Sequence, residues 1–375
     1  MIAGADAVPA LAFHFSRPGI RVIEPHAGQI NEILQGLLHR REVLDDGTTE
    51  LFETAMHVPV IDLQAAESDS TMLGPLDAAC RDHGFFLLRN HGMDEAINSM
   101  WQVSEAFFAR PAEEKRRVLR TQDIPLGYYD RELTKRKRDL KEVFDYMQPR
   151  ADGSDLNQWP EGEIQFRASL ERFFHAASDV AARTLSVIYR ARGGDGLVET
   201  ALPVGDPRTS TVRLNYYPAN DPLSSQEKAS VAELGDMALH HHTDPGILTL
   251  LLQDMTGGLQ THSRERGWID VPPEETTIVV NLGDAMQVWT NDVYRAAVHR
   301  VLPMDQIGMP GRYSTPYFYS PMRDAVLEPL PGLTEGEPHY RRFTWKEYIK
   351  GRVDDNYTDL GQDDIQISRF RLTGS

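Results

Sequence analysis

Residues 205–322 break into short β-type runs, each closed by a turn signal: "TVRLNYYP", "MALHHHTD", "ILTLLLQD", "GLQTHS", "GWIDVPP", "TTIVVNLGD", "MQVWTND", "AAVHRVLP" and "RYSTPYFYS". Many short strands at even spacing leave few solutions: a sandwich, a jelly roll or a barrel. This stretch constrains the fold more than any other part of the chain. The predicted class is mainly β with flanking helices.

The segments around it fit that class. "HVPVIDL" (57–63) and "FFLLRNHG" (85–92) are apolar, β-branched or aromatic runs that predict buried strands. Between them "DSTMLGPLDAACRDHG" predicts a helix closed by Gly84. "MDEAINSMWQVSEAFFARP" predicts a helix with its apolar stripe at Ile97, Met100, Trp101, Phe107 and Phe108, ended by Pro111. Residues 119–160 read as loop. From Pro160 to Gly193 and Gly194, Phe166, Leu170, Phe173, Phe174, Ala177, Ala181, Leu185 and Ile188 recur at helical spacing, which predicts a long helix packed on the sheet.

The expected organisation is an N-terminal extension over 1–56, a helical N-terminal region over 57–204, the β-core over 205–322 and a helical tail over 323–375. "GQINEILQGLLHRRE" in the extension and "TWKEYIKGRV" in the tail are predicted short helices. No internal repeat or low-complexity linker is visible.

Composition bounds the function. The chain has 375 residues, 41% of them hydrophobic, enough for a large core. Its formal net charge of -17 argues against a nucleic-acid or anionic-membrane partner. Cys80 is the single cysteine, so an intrachain disulfide and a thiolate zinc site are excluded, and a reducing, cytoplasmic setting is expected. The opening "MIAGADAVPALAFHFSRPG" has no basic n-region and a short apolar run, so no signal peptide is expected. No run reaches the length of a spanning helix.

The chemistry concentrates in "LHHHTD". If this is a strand end, residues two apart share a face, so His242 and Asp244 can reach one ion. His240 is expected on that face as well, and His241 on the other. His299, the unexplained polar member of "AAVHRVLP", supplies a third ligand. Two histidines and one carboxylate on one side of an ion form the facial triad of non-haem Fe(II) oxygenases. Arg312 and Ser314 in "RYS" again lie two apart on a strand. Together they can clamp a carboxylate, which suits a small anionic cosubstrate.

With these motifs in place, the chain resembles the Fe(II)/2-oxoglutarate-dependent oxygenases of the isopenicillin N synthase-like family. The resemblance runs through "VPVIDL", "GFFLLRNHG", "RLNYYP", "HTDPGILTLLLQD", "NLGDAMQVWTNDVYRAAVHRV" and "RYSTPYF", and spans roughly residues 57–322. It implies a double-stranded β-helix (a jelly roll). It implies Fe(II) on His242, Asp244 and His299, and 2-oxoglutarate held by Arg312 and Ser314. It also implies that Asn215 and Tyr217 help hold the cosubstrate, that O2 is consumed, and that ascorbate serves as an optional reductant. The expected reaction is hydroxylation, desaturation or cyclisation of a small-molecule substrate, coupled to release of succinate and CO2, in specialised metabolism. The expected protein is a monomer or weak homo-oligomer. Two other readings stay open on the motifs: an iron oxidase of the same family that uses no 2-oxoglutarate, and a non-enzymatic ligand sensor.

Other residues are assigned less sharply. His240, Phe144, Tyr146 and Phe318 are candidates for the substrate pocket; Phe318 and Trp289 are equally readable as core. Asp284 in "NLGDAM" is expected to make a turn. The basic run "TKRKRDLK" (134–141) reads as a solvated face, with an anion-binding mouth as the sharper alternative.

Overall fold

The computed structural model describes residues 58–372 except 122, 135–136, 151, 194–201, 236, 264–265, 304–310 and 354–365. The expected N-terminal extension and its helix therefore lie outside the described residues.

Two sheets face each other. The larger has eight strands: β1 (Val60–Asp62), β2 (Phe85–Arg89), β3 (Gly127–Tyr129), β6 (Glu142–Met147), β7 (Thr211–Pro218), β9 (Leu248–Gln253), β12 (Ile278–Leu282) and β14 (Gly311–Tyr319), in the spatial order β1-β2-β12-β9-β14-β7-β6-β3. The smaller has β8 (Leu239–His242), β10 (Leu259–Ser263), β11 (Gly267–Asp270) and β13 (His299–Val301), in the order β11-β10-β13-β8. Two small ribbons, β4 (Leu133–Thr134) with β5 (Lys137–Arg138) and β15 (Val326–Leu327) with β16 (Phe343–Thr344), complete the set. All pairings are antiparallel except β1 with β2. The architecture is the expected jelly roll.

Helices cover the outer face of the large sheet. They are α1 (Leu63–Ser68), α2 (Leu73–Asp82), α3 (Asp94–Phe108) and the long α4 (Ile164–Gly193); α5 (Asp284–Trp289) and α6 (Trp345–Val353) follow in the second half. Strand alternation divides the buried residues into two cores. Phe86, Leu88, Leu250, Val280 and Tyr317 point outward onto Phe107, Phe166, Phe173 and Leu185 of the helices. Phe85, Leu87, Leu251 and Val279 point inward onto Leu259 and Val301 of the small sheet. Along α4 the predicted stripe is the buried one, from Phe166 to Ile188. Each large apolar chain sealed there contributes roughly 1.5–3 kcal/mol.

Gly84 ends α2 as read from sequence. Its φ is +63°, and a Cβ would stand 2.4 Å from the Arg295 carbonyl oxygen, so no other residue fits without backbone movement.

Two expectations need correction. Residues 119–160 are not all loop, because β3 and β6 extend the large sheet by two strands. "EVFDYM" carries a period-two alternation, Phe144 and Tyr146 against Asp145 and Met147, obscured by an acid on each face, since Glu142 shares the side of Phe144 and pairs with buried Lys115. "MQVWTND" is not a strand: residues from Asp284 to Trp289 form α5. Its apolar side chains are buried all round, so the run shows no face by which a helix could be told from a strand.

Candidate metal centre

β8 and β13 pair so that His242 lies directly opposite His299. Asp244 follows in the turn after β8. Among the described residues, these three form the group whose candidate ligand atoms all lie within 4.8 Å of one another. His242 Nε2 is 3.6 Å and His299 Nε2 is 3.9 Å from Asp244 Oδ1.

The other atoms of these groups are already occupied. His242 Nδ1 is 2.8 Å from the His240 carbonyl oxygen, and His299 Nδ1 is 3.0 Å from that of Ala297. A carbonyl only accepts, so each Nδ1 carries the proton and each Nε2 presents its lone pair to the centre. Asp244 Oδ2 accepts from Thr249 Oγ1 at 2.5 Å and Asn281 Nδ2 at 2.8 Å, leaving Oδ1 turned to the imidazoles. Thr249 and Asn281 were not identified from sequence. Their signal was there: Thr249 is the polar residue inside "LTLLLQ", whose only other polar member is the terminal Gln253, and Asn281 is the polar member of "IVVNL".

The charge states suit a cation. Burial, and then the neighbouring His299, push the His242 imidazole down to about 3, so it is neutral at pH 7. Burial works against the Asp244 carboxylate, but the two imidazoles and its hydrogen bonds outweigh it and hold the carboxyl below its usual range. Two imidazole nitrogens and one carboxylate oxygen on one side of a point fit Fe(II), which accepts this donor set and keeps positions free for exogenous ligands.

The turn carrying Asp244 is clamped from below. Asp284 N and Gly283 N donate to the carbonyls of Asp244 and Ile247 at 2.8 and 3.0 Å. Asp284 does sit at a chain reversal, and it is also buried beneath the metal loop. Its carboxylate accepts from Thr243 Oγ1 at 3.3 Å and from the Tyr348 hydroxyl of α6. Burial raises the Asp284 carboxyl to about 6. Arg352, also on α6, donates to the Thr243 carbonyl at 2.8 Å.

A cavity of about 850 Å³ opens between the sheets onto this centre. Arg312, Ser314, Pro316 and Phe318 of β14 line it, as do Arg213, Asn215 and Tyr217 of β7. Arg312 stands opposite Tyr217 and Ser314 opposite Asn215. The Arg312 guanidinium is fully buried, with Nε donating to the Gly257 carbonyl at 2.8 Å and Nη2 to Gln253 Oε1 at 3.3 Å, over the Tyr217 ring. Its Nη1 has no hydrogen-bond partner. A buried cationic N–H left unpaired at a cavity wall calls for an anionic oxygen, and a carboxylate fits. Asn215 Nδ2 donates to Ser314 Oγ at 3.4 Å.

Three pocket candidates are placed elsewhere. Phe144 and Tyr146 lie on the helix-facing side of β6, in an aromatic cluster with Phe107, Trp159 and Phe166. The alternation puts Asp145 and Met147 on the cavity side instead. His240 does not share the lining face with His242. Leu239 and His242 line the cavity, because the pairing with β13 shifts register between His299 and Val301. His240 Nδ1 instead lies 4.0 Å from buried Asp139. Phe318 does line the cavity, whereas Trp289 is core. His241 is exposed, near Trp268.

In the described part of the basic run Lys137 is exposed, as a solvated face expects, while the other cations are buried and paired. Arg138 pairs with Asp221, and Lys141 Nζ lies 2.8 Å from Glu132 and 3.0 Å from Asp139. Sequence reading also passed over the buried ion network beneath the cavity. There Arg213 bonds Asp145 and Glu132, and Arg120 bonds the same two acids.

Comparison with known proteins agrees with this geometry. A family model described as the 2OG-Fe(II) oxygenase superfamily matches residues 208–321. One described as the N-terminal part of a non-haem dioxygenase in morphine synthesis matches residues 58–162. A homoarginine-6-hydroxylase of Glycine max is 31% identical, over 76% of this chain and 89% of its own length. Gibberellin 2-beta-dioxygenase 4 of Arabidopsis thaliana is 29% identical, over 84% and 97%. Among solved structures, a full-length Neurospora crassa protein in complex with alpha-KG is similar at a TM-score of 0.67 and 27% identity, covering 79% of this chain and 95% of its own. JOX2 in complex with 2OG, Fe and JA is similar at 0.63 and 25%, covering 78% and 84%.

Proposed function

Because the chain belongs to the 2OG-Fe(II) oxygenase superfamily, we propose that His242, Asp244 and His299 hold its Fe(II) and that Arg312 and Ser314 hold the far carboxylate of its 2-oxoglutarate, with Asn215 and Tyr217 completing that wall. The enzyme is an Fe(II)/2-oxoglutarate-dependent oxygenase acting on a small organic molecule. The observation that carries the residue assignment is a pairing within one cavity: three converging donor atoms and the unpaired Nη1 of buried Arg312. Fe(II) with 2-oxoglutarate and O2 supplies the oxidising power, and the cosubstrate leaves as succinate and CO2.

The protein's own part is positional. The carbonyls of His240 and Ala297 fix both imidazoles in the ligating tautomer. Thr249 and Asn281 hold Asp244 ionised and oriented. Tyr217 stacks on the Arg312 guanidinium and keeps it in place. Leu251, Leu259, Val301 and Phe318 line the cavity and exclude water from the centre. Which bond is oxidised depends on how the substrate sits against these walls, since the triad is indifferent to it.

The unpaired guanidinium N–H favours a bound carboxylate cosubstrate over an oxidase that needs none. Iron-loaded protein given labelled 2-oxoglutarate should release labelled succinate. No release, with or without candidate substrates, would defeat the assignment. The relatives act on gibberellins and homoarginine according to their names, and oxidation of a specialised metabolite is the extension we make to this chain. Among the described residues no helix is long and apolar enough to cross a membrane. We also place the enzyme in the cytoplasm, because its lone cysteine is buried and free, and take it as a monomer or weak homo-oligomer. Size-exclusion chromatography with light scattering tests the oligomeric part, and a stable higher oligomer would contradict it.

A further inference from the structure

β6, β7 and β14 are neighbours, and Met147, Thr211 and Phe318 stand side by side across them. The chain leaves β6 and β14 and enters β7 at this end of the sheet, and each of these junctions carries an arginine. Arg150 lies just beyond β6, Arg208 just before β7 and Arg323 just after β14. Helix α6 reaches the same edge, where Lys346 N donates to the Arg323 carbonyl at 3.1 Å. Lys346 and Lys350 lie one turn apart on that helix. All five cations line the cavity.

Their pairing is unusual for so acidic a chain, whose net charge is -17. Arg208 is taken by Asp206 at 3.0 Å. Among the described residues, no carboxylate lies within ion-pair distance of Arg150, Arg323, Lys346 or Lys350. Glu347, the acid on α6, is committed to Arg341 at 3.2 Å. The deeper cations are spent too, Lys141 on Glu132 and Asp139, and Arg213 on Glu132 and Asp145. Arg150, Arg323, Lys346 and Lys350 are all exposed, and like charges one helical turn apart repel weakly there, so an anion reaching this edge relieves that repulsion. The 2-oxoglutarate anchor is elsewhere: Arg312 lies six positions back along β14 from Phe318, roughly 20 Å of extended strand. Between the cations and the metal centre one side of the lining is apolar, with Met147, Leu251, Phe318, Trp345 and Ile349, while on β6 and β7 the mutually paired Asp145 and Arg213 lie inward of Met147 and Thr211.

Resting on the oxygenase reading above, we propose that the substrate is an apolar small molecule bearing a carboxylate, which Arg323, Lys346 and Lys350, with Arg150, hold at this edge while the apolar body reaches inward. The cavity volume of about 850 Å³ suits a molecule of that size. A neutral substrate would leave the cations to solvent and, for Arg150, to the nearby Asp152. A cationic one would be repelled.

The test uses a matched fluorescent pair, 4-(1-pyrenyl)butyrate and its methyl ester, bound to protein loaded with Fe(II) and 2-oxoglutarate without O2. The acid should bind about ten-fold more tightly than the ester at low salt, and the gap should narrow as salt is raised. In the triple variant Arg323→Gln/Lys346→Gln/Lys350→Gln the acid should fall to the affinity of the ester, which stays as in wild type. Arg172→Gln, on the far helix α4, should keep the full preference. Equal binding of acid and ester by wild type, no binding of the acid, or a preference that survives the triple variant would overturn the proposal. Succinate release from 2-oxoglutarate is read separately. Its presence without the acid preference defeats this inference alone, and its absence defeats the oxygenase reading while the binding ratio still reports on the cation edge.

Discussion

His242 and His299 face each other across β8 and β13 with ring centroids 4.3 Å apart, and each turns its Nδ1 onto the carbonyl of the residue two places before it. The same local device, used on two paired strands, fixes both tautomers without a dedicated side chain. Asp244, from the turn beyond β8, closes the third side.

Removing either end of this set should abolish metal binding. His242→Ala and Asp244→Ala are each expected to weaken Fe(II) binding by more than about 100-fold and to stop succinate formation. Anaerobic Fe(II) titration checks the first effect, and labelled 2-oxoglutarate turnover the second. Normal turnover by either variant would refute the triad.

The groups behind Asp244 should matter nearly as much. Asn281→Ala leaves one carboxylate oxygen with Thr249 as its only donor. Metal affinity should fall about 10- to 100-fold with the fold intact. Circular dichroism alongside the titration separates the two effects. An unchanged affinity would mean that Thr249 alone orients the ligand.

The sequence made the triad legible for a physical reason. Strand period two puts His242 beside Asp244, and a histidine in the apolar run "AAVHRVLP" had to face something polar. The same period failed at His240, because a register shift against β13 is not written in the residues of β8. It was not applied to "EVFDYM", which reads as loop with Phe144 and Tyr146 as pocket candidates, although alternation sends them to the helical core. The Arg323–Lys346–Lys350 edge joins segments that only tertiary structure brings together, so no local pattern announces it.

Asp284 makes stability depend on pH. Its folded value of about 6 lies above the ordinary 3.8, because burial penalises the charged form. A carboxyl raised in this way stabilises the fold fully below 3.8, and that contribution is lost as pH rises through about 6. The gap corresponds to roughly 3 kcal/mol at most. Asp284→Asn keeps an acceptor for Tyr348 and cannot ionise, so its unfolding free energy relative to wild type should improve between about pH 4.5 and pH 7.5. Urea unfolding at both pH values reads this, and a difference independent of pH would contradict it.

Gly283 shows why the metal loop tolerates no bulk beneath it. A Cβ there would lie 2.3 Å from the Gly246 carbonyl oxygen and 2.8 Å from that of Asp244, both backbone atoms. Gly283→Ala should therefore displace the ligand turn, costing about 1–3 kcal/mol of stability and lowering Fe(II) affinity. Thermal unfolding and metal titration should move together. A stable variant with normal affinity would mean that the turn can shift without moving Asp244 Oδ1.

Arg312 offers the sharpest test of the cosubstrate wall. Glutamine at 312 removes the charge and the unpaired Nη1 while leaving an amide to reach Gly257 or Gln253. The loss of a charge-assisted pair in a dry site is worth about 3 kcal/mol, so the KM for 2-oxoglutarate should rise about 100-fold. Fe(II) affinity should hold, because Arg312 touches none of the three ligands. Lysine restores the charge but not the planar fork, and should recover only part of the loss. A parallel collapse of iron binding in Arg312→Gln would show that the residue serves the fold of the cavity and not the cosubstrate. An unchanged KM would place the carboxylate elsewhere.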